Sequence, residues 1–576
     1  MALSFIDWSL IAAYFVFSLV VGSIYAKRAG KGIESFFISE RALPWWLAGT
    51  SMVATTFAAD TPLAVTEIVV KNGIAGNWLW WNFVLGGMMT VFLFSKLWRR
   101  SEVLTDIEFT ELRYSGKPAA ILRGFRAVYL GLPINCMIMA WVTLAMTAIL
   151  EVTFSFPKIL ALVISLVFAV FYTVLSGLWG VVITDFFQFI IAMTGSIALA
   201  VISVIHVGGI KALKLKVMAS HPQTLSFFPT MGSTALPLLA FFVYIAVQWW
   251  STWYPGAEPG GGGYVAQRIL ASKDEKHSVL ATLWFNIAHY ALRPWPWILV
   301  ALAVMVVFPN LSDPKLGYPK MVVSFLPVGL KGLMIAAFFA AFMSTIVTHL
   351  NWGASYLVND FYKRFINKQG SSAHYVFVSR VLTVLLMIFA GIAAYQMNSI
   401  KGAWELLLAI GAGTGLVYIL RWYWWRINAW SEIAAMACSF VVAVVLLKTR
   451  FGLPGELNWA YRMLITVGIT TVVWVVATFL TKPVDKEHLI RFYKKIKPGG
   501  MWKPVKEGIG IAEKETRILK DLLNWLLGIV LIYCSLFGIG KIVLLEFKTG
   551  IALLLVAAAV SIILYKNILR ERVQSI

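Results

Sequence analysis

The chain has 576 residues, of which 60% are hydrophobic and 13% are charged, and its formal net charge is +22. Soluble domains have roughly 45–50% apolar and about 25% charged residues, so this composition excludes a soluble globular protein. The basic residues lie in short connectors between apolar segments, a placement typical of membrane proteins that argues against nucleic-acid binding. The composition therefore predicts a polytopic membrane protein.

Apolar segments of about 20 residues, long enough to cross a bilayer, recur along the whole chain. They predict 15 spans, near residues 7–26, 44–70, 74–98, 127–150, 157–177, 179–206, 235–254, 279–308, 330–360, 375–398, 401–425, 428–448, 459–481, 521–543 and 546–568. Most basic connectors fall on one side if the N-terminus lies outside, with KALKLKV as the exception. We therefore expect a multi-pass protein of the cell (inner or plasma) membrane with a cytoplasmic C-terminus. Its one long inner loop, 482–520, contains HLIRFYKKI, either an interfacial helix or a solvated linker.

The second span, TSMVATTFAADTPLAVTEIVV, contains polar residues and a proline at mid-span. Hydrogen bonds from threonine hydroxyls to their own helix account for Thr55 or Thr56 alone, but not for Asp60 and Pro62. Irregular backbone at membrane depth is tolerated only where it lines a cavity. The sequence therefore predicts a functional break in this helix, called the first break below.

The sixth span carries Asp185 near its predicted inner end, in GLWGVVITDFFQFI. An acid at that depth is either an interfacial group or, together with Thr184, a cation ligand or gate. The sequence leaves both interpretations open.

The seventh span ends in a second break, WYPGAEPGGGG, where prolines stop the helix and Glu258 lies among glycines. The two breaks are five spans apart, and interrupted helices at matching places in two halves indicate an inverted-repeat transporter. Spans two to six (44–206) would form one repeat and spans seven to eleven (235–425) the other. The helix 7–26 precedes them and helices over 428–568 follow, all in a single transmembrane domain over 1–576.

The eighth span, LWFNIAHYALRPWPWILV, places Asn286, His289 and Arg293 on one helical face. A lone histidine is more often a core residue, but an arginine at mid-span requires a buried acid or a ligand. Glu258 and Asp60 are the acids that would serve.

The ninth span, GLMIAAFFAAFMSTIVTHLNWGASYLVNDFY, has small and hydroxyl residues at helical spacing. Small residues such as Ala337 and Ala341 fit close helix packing. The hydroxyls of Ser344, Thr345 and Thr348 also suit a hard cation such as sodium, if they face the first break.

Four stretches together resemble the sodium:solute symporter family, whose members carry sugars, proline, sialic acid, iodide and vitamins. They are RALPWWLAGTSMVATTFAADTP, VLSGLWGVVITDFFQF, YVAQRILASKDEK and AAFFAAFMSTIVTHLNWGASYLVNDFY, in family order over about 40–365. The resemblance implies an all-α LeuT-type fold, with a 5+5 inverted-repeat core, one extra N-terminal helix and about four extra C-terminal helices. It implies a transporter and no enzyme, with Na+ as coupling ion and no cofactor.

Matched motif by motif, the resemblance implies a sodium site between the second and ninth spans. Its ligands would be the carbonyls of Ala54, Phe57 and Ala341 and the hydroxyls of Ser344 and Thr345. Asp185 and Thr348 match a second sodium site or gate of some members, but Val347 replaces another hydroxyl there, so the number of sodium ions stays open. The sugar contacts of the family's sugar carriers have no match in WYPGAEPGGGG.

These features predict a sodium-coupled secondary active symporter that imports a small polar organic solute by alternating access. The predicted solute-binding residues are Thr56, Asp60, Asn82, Glu258, His289 and Arg293. If Glu258 pairs with Arg293, a neutral or zwitterionic solute is favoured; if Arg293 is free, a carboxylate or another anion is favoured.

The expected partners are sodium, the solute and the lipid bilayer, with the protein a monomer. A sodium-linked channel or a transporter-like sensor on the same fold is the main alternative, although the sequence shows no effector domain. A membrane-embedded enzyme would need a clustered acid–base or metal constellation, and the polar residues are too scattered for one.

Overall fold

The structure is a computed structural model that describes residues 3–29, 32–232, 236–252, 256–397, 400–447, 455–508 and 516–570. Within these residues the regular elements are helical, apart from two isolated bridges. The α-helices of the N-terminal part are Phe5–Ala29, Ile33–Ile38, Trp45–Thr56, Asp60–Asn72, Trp78–Trp81, Val84–Met89, Ser95–Ser101, Phe109–Arg113, Gly116–Tyr129, Asn135–Phe154, Lys158–Val207 and Gly209–Ser220.

The second part of the chain continues the same helical architecture. Its α-helices are Leu238–Ala246, Gly263–Ala271, Glu275–Asn286, Pro294–Val307, Gly317–Phe325, Leu330–Ser355, Ser372–Gln396, Ile400–Gly411, Gly415–Tyr423, Ala429–Leu447, Gly455–Leu480, Lys486–Ile496, Lys503–Glu507, Thr516–Val543 and Phe547–Arg570. Short 3₁₀ and π-helical turns join several of them. One π-helical turn, Ile287–Leu292, directly precedes Arg293.

Among the described residues, 12 helical segments are long and apolar enough to cross a membrane, or 13 if the bent pair Trp45–Thr56 and Asp60–Asn72 is one span. The protein is therefore a multi-pass membrane protein. The two remaining predicted spans differ from this set. Span 157–177 lies within the helix Lys158–Val207, which continues through the next predicted span. Span 235–254 appears as a shorter apolar segment, Leu238–Trp250, because the chain runs directly into the second break.

The first break lies between Trp45–Thr56 and Asp60–Asn72, whose axes are bent by 59°. Phe57 leaves helical geometry, with φ −84° and ψ 43°. Pro62 lies in the first turn of the following helix, where the N–H that proline lacks has no intrahelical partner. The break predicted from Asp60 and Pro62 is confirmed, and it places the carboxyl group of Asp60 at a helix N-terminus.

The second break separates Leu238–Ala246 from Gly263–Ala271, and its residues 253–255 lie outside the described part of the chain. Its glycines are required by the backbone conformation, in which several φ angles are positive and two chain segments approach closely. The four glycines at 256, 260, 261 and 263 have φ between +57° and +98°, a region that strains other residues. At Gly262, a Cβ would lie 2.6 Å from the Gly256 carbonyl oxygen.

The helix Leu330–Ser355 runs through the centre of the protein, and all of its residues from Met334 to Ser355 are buried. It meets the first break directly, because the Thr345 hydroxyl donates a 2.7 Å hydrogen bond to the Thr55 carbonyl. Predicted spans two and nine are thus in contact. The division into two inverted repeats stays a prediction.

The long loop contains the helix Lys486–Ile496, which begins where the Asp485 side chain accepts a hydrogen bond from the His488 N–H. Leu489, Phe492, Tyr493 and Ile496 are buried along one face. Phe492 packs against the rings of Phe109 and Trp502, so this helix is part of the folded protein rather than a solvated linker.

Candidate functional site

A cavity of about 260 Å³ lies between the two breaks. Residues 55–61 of the first break, residues 257–262 of the second break and residues 282–293 contribute to its wall. Aromatic side chains form much of the rest: Trp80, Phe83, Trp141, Trp249, Phe285 and Tyr290. Small-molecule sites are typically concave, mostly apolar and equipped with a few polar groups, and this cavity has that composition.

Thr56, His289 and Arg293 form a hydrogen-bonded chain on the cavity wall. Nε2 of His289 lies 3.1 Å from an Arg293 terminal nitrogen, and Nδ1 lies 2.9 Å from the Thr56 hydroxyl. Arginine can only donate, so Nε2 accepts and the proton of the neutral imidazole is on Nδ1. Arg293 also donates to the carbonyls of His289 and Thr56. These contacts hold the guanidinium group in one orientation.

Arg293 and Asp60 line the cavity and are only 2% and 3% exposed. In the described part of the chain, no carboxylate oxygen lies within the 4.0 Å ion-pair distance of an Arg293 nitrogen. Oδ1 of Asp60 has no hydrogen-bond partner among these residues. The expectation that Arg293 pairs with Glu258 or Asp60 is therefore wrong for direct ion pairs.

Glu258 instead belongs to a closed ring of four buried charges, Arg126, Glu258, Arg421 and Glu432, which we call the Arg–Glu ring. One carboxylate oxygen of Glu258 accepts from Arg126, and the other accepts from Arg421 at 3.0 Å. Glu432 accepts from Arg126 at 2.9 Å and from Arg421 at 3.3 Å. Both glutamates thus contact both arginines, and the charges of the ring sum to zero.

The Arg–Glu ring joins the second break to three other helices. Arg126 lies on Gly116–Tyr129, Arg421 on Gly415–Tyr423 and Glu432 on Ala429–Leu447. Tyr114 adds a 2.6 Å hydrogen bond to Glu432. Glu258 lines the cavity, but both of its carboxylate oxygens are already engaged by the ring.

The predicted sodium ligands Ala54, Phe57, Ala341, Ser344 and Thr345 lie where the first break meets the helix Leu330–Ser355. The Thr345 hydroxyl is 2.7 Å from the Thr55 carbonyl and 3.1 Å from the Ala341 carbonyl. The Ala54 carbonyl accepts a hydrogen bond from the Phe57 N–H at 3.0 Å. Backbone carbonyls at unwound helix segments are the oxygens that coordinate sodium in transporters of this kind.

Asp185 lies next to the predicted sodium ligands and is fully buried. Its carboxylate accepts hydrogen bonds from Ser344 at 2.7 Å and from Ser51 at 2.5 Å. The sequence left open whether Asp185 is an interfacial group or an internal ligand or gate. Its burial and hydrogen bonds place it inside the protein and not at the interface.

Arg268 is a residue that sequence reasoning missed. Its guanidinium group lies 3.8 Å from the Asp185 carboxylate, donates to the Thr348 hydroxyl at 2.7 Å and contacts the Ser51 hydroxyl at 3.2 Å. It therefore contacts both residues assigned by resemblance to a second sodium site or gate. Its place in the motif YVAQR gave no signal, because only the fold brings it to Asp185.

Asn82 is not among the residues that line the cavity. Its amide donates to the Trp78 and Leu79 carbonyls of its own helical segment, at 2.8 and 2.9 Å. Asn286 lines the cavity instead, and its spacing from His289 and Arg293 was the sequence signal for this. Its amide nitrogen donates to the Thr282 carbonyl at 2.8 Å, and its Oδ1 has no partner among the described residues.

Comparisons with known proteins agree with this architecture. The sequence model of the "Sodium:solute symporter family" matches residues 36–441. The chain is 23% identical to "Sodium/glucose cotransporter 4" of Danio rerio, over 84% of this chain and 80% of that protein. It is 25% identical to the "Sodium/glucose cotransporter" of Vibrio parahaemolyticus, over 81% of this chain and 89% of that protein.

Among solved structures, the chain is similar to that of an outward-open, substrate-bound Na+-coupled sialic acid symporter. The TM-score is 0.68 at 20% identity, covering 84% of this chain and 99% of that chain. At this identity the likeness shows the fold alone, an all-helical LeuT-type fold. The match of the family model over most of the chain shows that the protein belongs to the sodium:solute symporter family, and that it is a sodium-coupled solute transporter and not an enzyme.

Proposed function

We propose that the protein imports one small polar organic solute together with sodium, by alternating access, from the cavity between the two breaks. The observation that carries this proposal is the contact of Thr345 with the Thr55 carbonyl. Both residues also line the cavity, so the predicted sodium ligands and the solute space share a wall. The protein lies in the cell membrane, with its N-terminus outside the cell and its C-terminus in the cytoplasm, as the basic connectors indicate.

Sodium at this position would couple to solute through the first break. An ion held by the carbonyls of Ala54 and Phe57 and by the hydroxyls of Ser344 and Thr345 ties the break to the helix Leu330–Ser355. The same break supplies Thr56 and Asp60 to the cavity wall. Ordering the break with one ligand therefore favours the other, and this coupling is reciprocal.

We infer a stoichiometry of one sodium ion per solute from the position of Arg268. A buried carboxylate surrounded by hydroxyl groups would suit a sodium ion, and Asp185 has Ser51, Ser344 and Thr348 close by. The Arg268 guanidinium already provides a positive charge there, 3.8 Å from Asp185. A second sodium ion would have to displace a buried, hydrogen-bonded arginine.

The Arg–Glu ring is the inner gate of the proposed cycle. Arg126 and Arg421 lie close to predicted cytoplasmic connectors, and Glu258 forms part of the cavity wall. A path from the cavity to the cytoplasm then requires the helices joined by the ring to separate. Release of the solute into the cytoplasm would break the ion pairs of the Arg–Glu ring, which are formed in this structure.

Sodium binding can be tested before the solute is identified, using the purified protein in nanodiscs. We expect NaCl to raise the unfolding temperature above that in equal KCl or choline chloride, because sodium binds only the folded protein. In Ser344→Ala, the same rise in unfolding temperature should require a sodium concentration that is tenfold higher or more. The exposed-site variant Lys71→Gln is the control.

An unfolding temperature that is the same in all three salts would contradict sodium coupling. Unchanged sodium dependence in Ser344→Ala would show that the ligand assignment is wrong. Single-channel currents in planar bilayers, with no sodium-driven accumulation of any solute in liposomes, would favour the channel alternative.

A further inference from the structure

The cavity wall carries opposite charges that the protein itself leaves without ion-pair partners. Arg293 and Asp60 are both almost fully buried there, and each is farther than 4.0 Å from an opposite charge in the described residues. Intramembrane charges are costly and are normally paired or functional. The Arg–Glu ring pairs four buried charges closely, whereas Asp106 and Arg113 are buried and have only hydrogen-bond partners among the described residues. Arg293 and Asp60 differ from these because they line the cavity, where a ligand can reach them.

The remaining donors of Arg293 suit a carboxylate. A guanidinium group has five N–H donors. Three are used, by the His289 carbonyl, the Thr56 carbonyl and Nε2 of His289. One N–H remains on each terminal nitrogen, and arginine commonly binds both oxygens of a carboxylate through such a pair of donors.

The acceptors on the same wall suit an ammonium group. Oδ1 of Asp60 and Oδ1 of Asn286 are buried and have no donor among the described residues. Both residues line the cavity. An ammonium group has three N–H donors and a positive charge, which complement a buried carboxylate oxygen and an amide oxygen.

The rest of the wall is largely aromatic, with Trp80, Phe83, Trp141, Phe285 and Tyr290 among its residues. It also has hydroxyl groups, but those of Thr56, Thr90, Ser251 and Thr282 already donate to backbone carbonyls. A sugar would need hydrogen-bond donors and acceptors in several directions. The wall offers instead two charged points and an aromatic surface, in a cavity of about 260 Å³. This composition matches a small zwitterion that carries an apolar side chain.

Because Glu258 pairs with Arg126 and Arg421, the sequence alone would favour a carboxylate or another anion at Arg293, but Asp60 on the same wall adds a place for a cation. We therefore propose that the solute is a zwitterionic α-amino acid with an apolar side chain. Arg293 binds its carboxylate, and Asp60 together with Asn286 binds its ammonium group. The apolar side chain packs on the aromatic wall. This assignment rests on the proposed sodium symport and names the class of its solute.

The test compares amino acids with analogues that each lack one charge. Binding to the purified protein in sodium is measured for L-leucine, 4-methylpentanoate and 3-methylbutan-1-amine. The same is done for L-phenylalanine, 3-phenylpropanoate and 2-phenylethylamine, with D-glucose as the uncharged comparison. At least one amino acid should bind, and its two analogues should bind about 100-fold or more weakly, because each leaves a buried charge unpaired.

Variants then assign each charge to its partner. In Arg293→Gln, the amino acid should lose its advantage over the amine. The variant has no guanidinium group at this position, so the carboxylate of the amino acid no longer finds its cation. In Asp60→Asn, the amino acid should lose its advantage over the carboxylic acid. The partly exposed Arg364, which pairs with Glu111, provides the matched control Arg364→Gln, which should keep both preferences. The comparison of analogues on the unmodified protein stays decisive if a variant fails to fold.

Equal binding of the carboxylic acid and the amino acid would overturn the ammonium site, and tight binding of D-glucose would overturn the zwitterion as a whole. In both cases a sodium-dependent rise in unfolding temperature would leave the symport proposal standing. A protein that responds neither to sodium nor to any compound would contradict the symport proposal itself.

Discussion

Two buried acids, one at each helix break, differ in what their carboxylates contact. Glu258 at the second break has an arginine at each carboxylate oxygen, inside a neutral ring of four charges. Asp60 at the first break has one oxygen without any partner in the described residues and faces the cavity. Sequence position alone makes the two acids look equivalent, but their surroundings distinguish an acid held in a ring of ion pairs from an acid that lines the cavity.

The difference follows from the cost of burying charge. A buried ion pair contributes little net stability, yet removal of one partner is strongly destabilising because it leaves the other charge unpaired. A buried acid that forms no direct ion pair leaves no charge without its partner when it is neutralised, so its neutral isostere should fold as well. We therefore expect neutralisation of Glu258 to lower mainly the stability of the protein, and neutralisation of Asp60 to lower mainly its affinity for the solute.

The largest expected effect is on stability in Glu258→Gln. This change leaves Arg126 and Arg421 with Glu432 as their shared carboxylate, so we expect a loss of about 3–5 kcal/mol in the free energy of unfolding. Denaturant unfolding in detergent measures it. The double variant with Arg126→Gln should recover part of the loss, because the residues are coupled. If the losses of unfolding free energy in the two single variants simply add up in the double variant, the ion pair between Glu258 and Arg126 would be contradicted.

Asp60→Asn should show the reverse pattern. Its unfolding free energy should stay within about 1 kcal/mol of the unmodified protein, because no direct ion pair is lost. Its affinity for the amino acid should fall about 100-fold, because the ammonium group then meets an amide. Isothermal titration and unfolding on the same preparation provide both values. A destabilisation as large as that of Glu258→Gln would show that Asp60 is structural.

A smaller effect is expected from the glycines of the second break. Gly261 has φ +94°, so Gly261→Ala should cost about 1–2 kcal/mol of unfolding free energy. Gly468 is a helical glycine on Gly455–Leu480 where a Cβ meets nothing within 4 Å, so it gives the matched control. Gly468→Ala should be neutral or stabilising by up to about 1 kcal/mol. Equal effects at both positions would show that the glycine run is not conformationally required.

The smallest effect is in the shape of the sodium titration. With Arg268 beside Asp185, solute binding should depend on sodium with a Hill coefficient of about 1. Titration of amino-acid binding against NaCl at constant ionic strength measures it. A coefficient near 2 would show that a second ion enters and that Arg268 does not replace it.

Local sequence features predicted the positions of the breaks and of most helices. Proline, an acid and a glycine run interrupt the hydrophobic pattern where the structure has its breaks. The partners of Glu258 were not predictable in this way, because Arg126 and Arg421 lie 132 and 163 residues away in the chain. Asn82 was predicted to bind solute, yet its amide donates to carbonyls of its own helical segment, which sequence spacing does not reveal.

The most direct test of the account is a cryo-EM structure of the protein with sodium and the tightest-binding amino acid. We predict that the carboxylate lies at Arg293 and the ammonium group at Asp60 and Asn286, with Glu258 still held by Arg126 and Arg421 in any state closed to the cytoplasm. A solute that contacts the Glu258 carboxylate, with the ring open and Arg293 unoccupied, would contradict it.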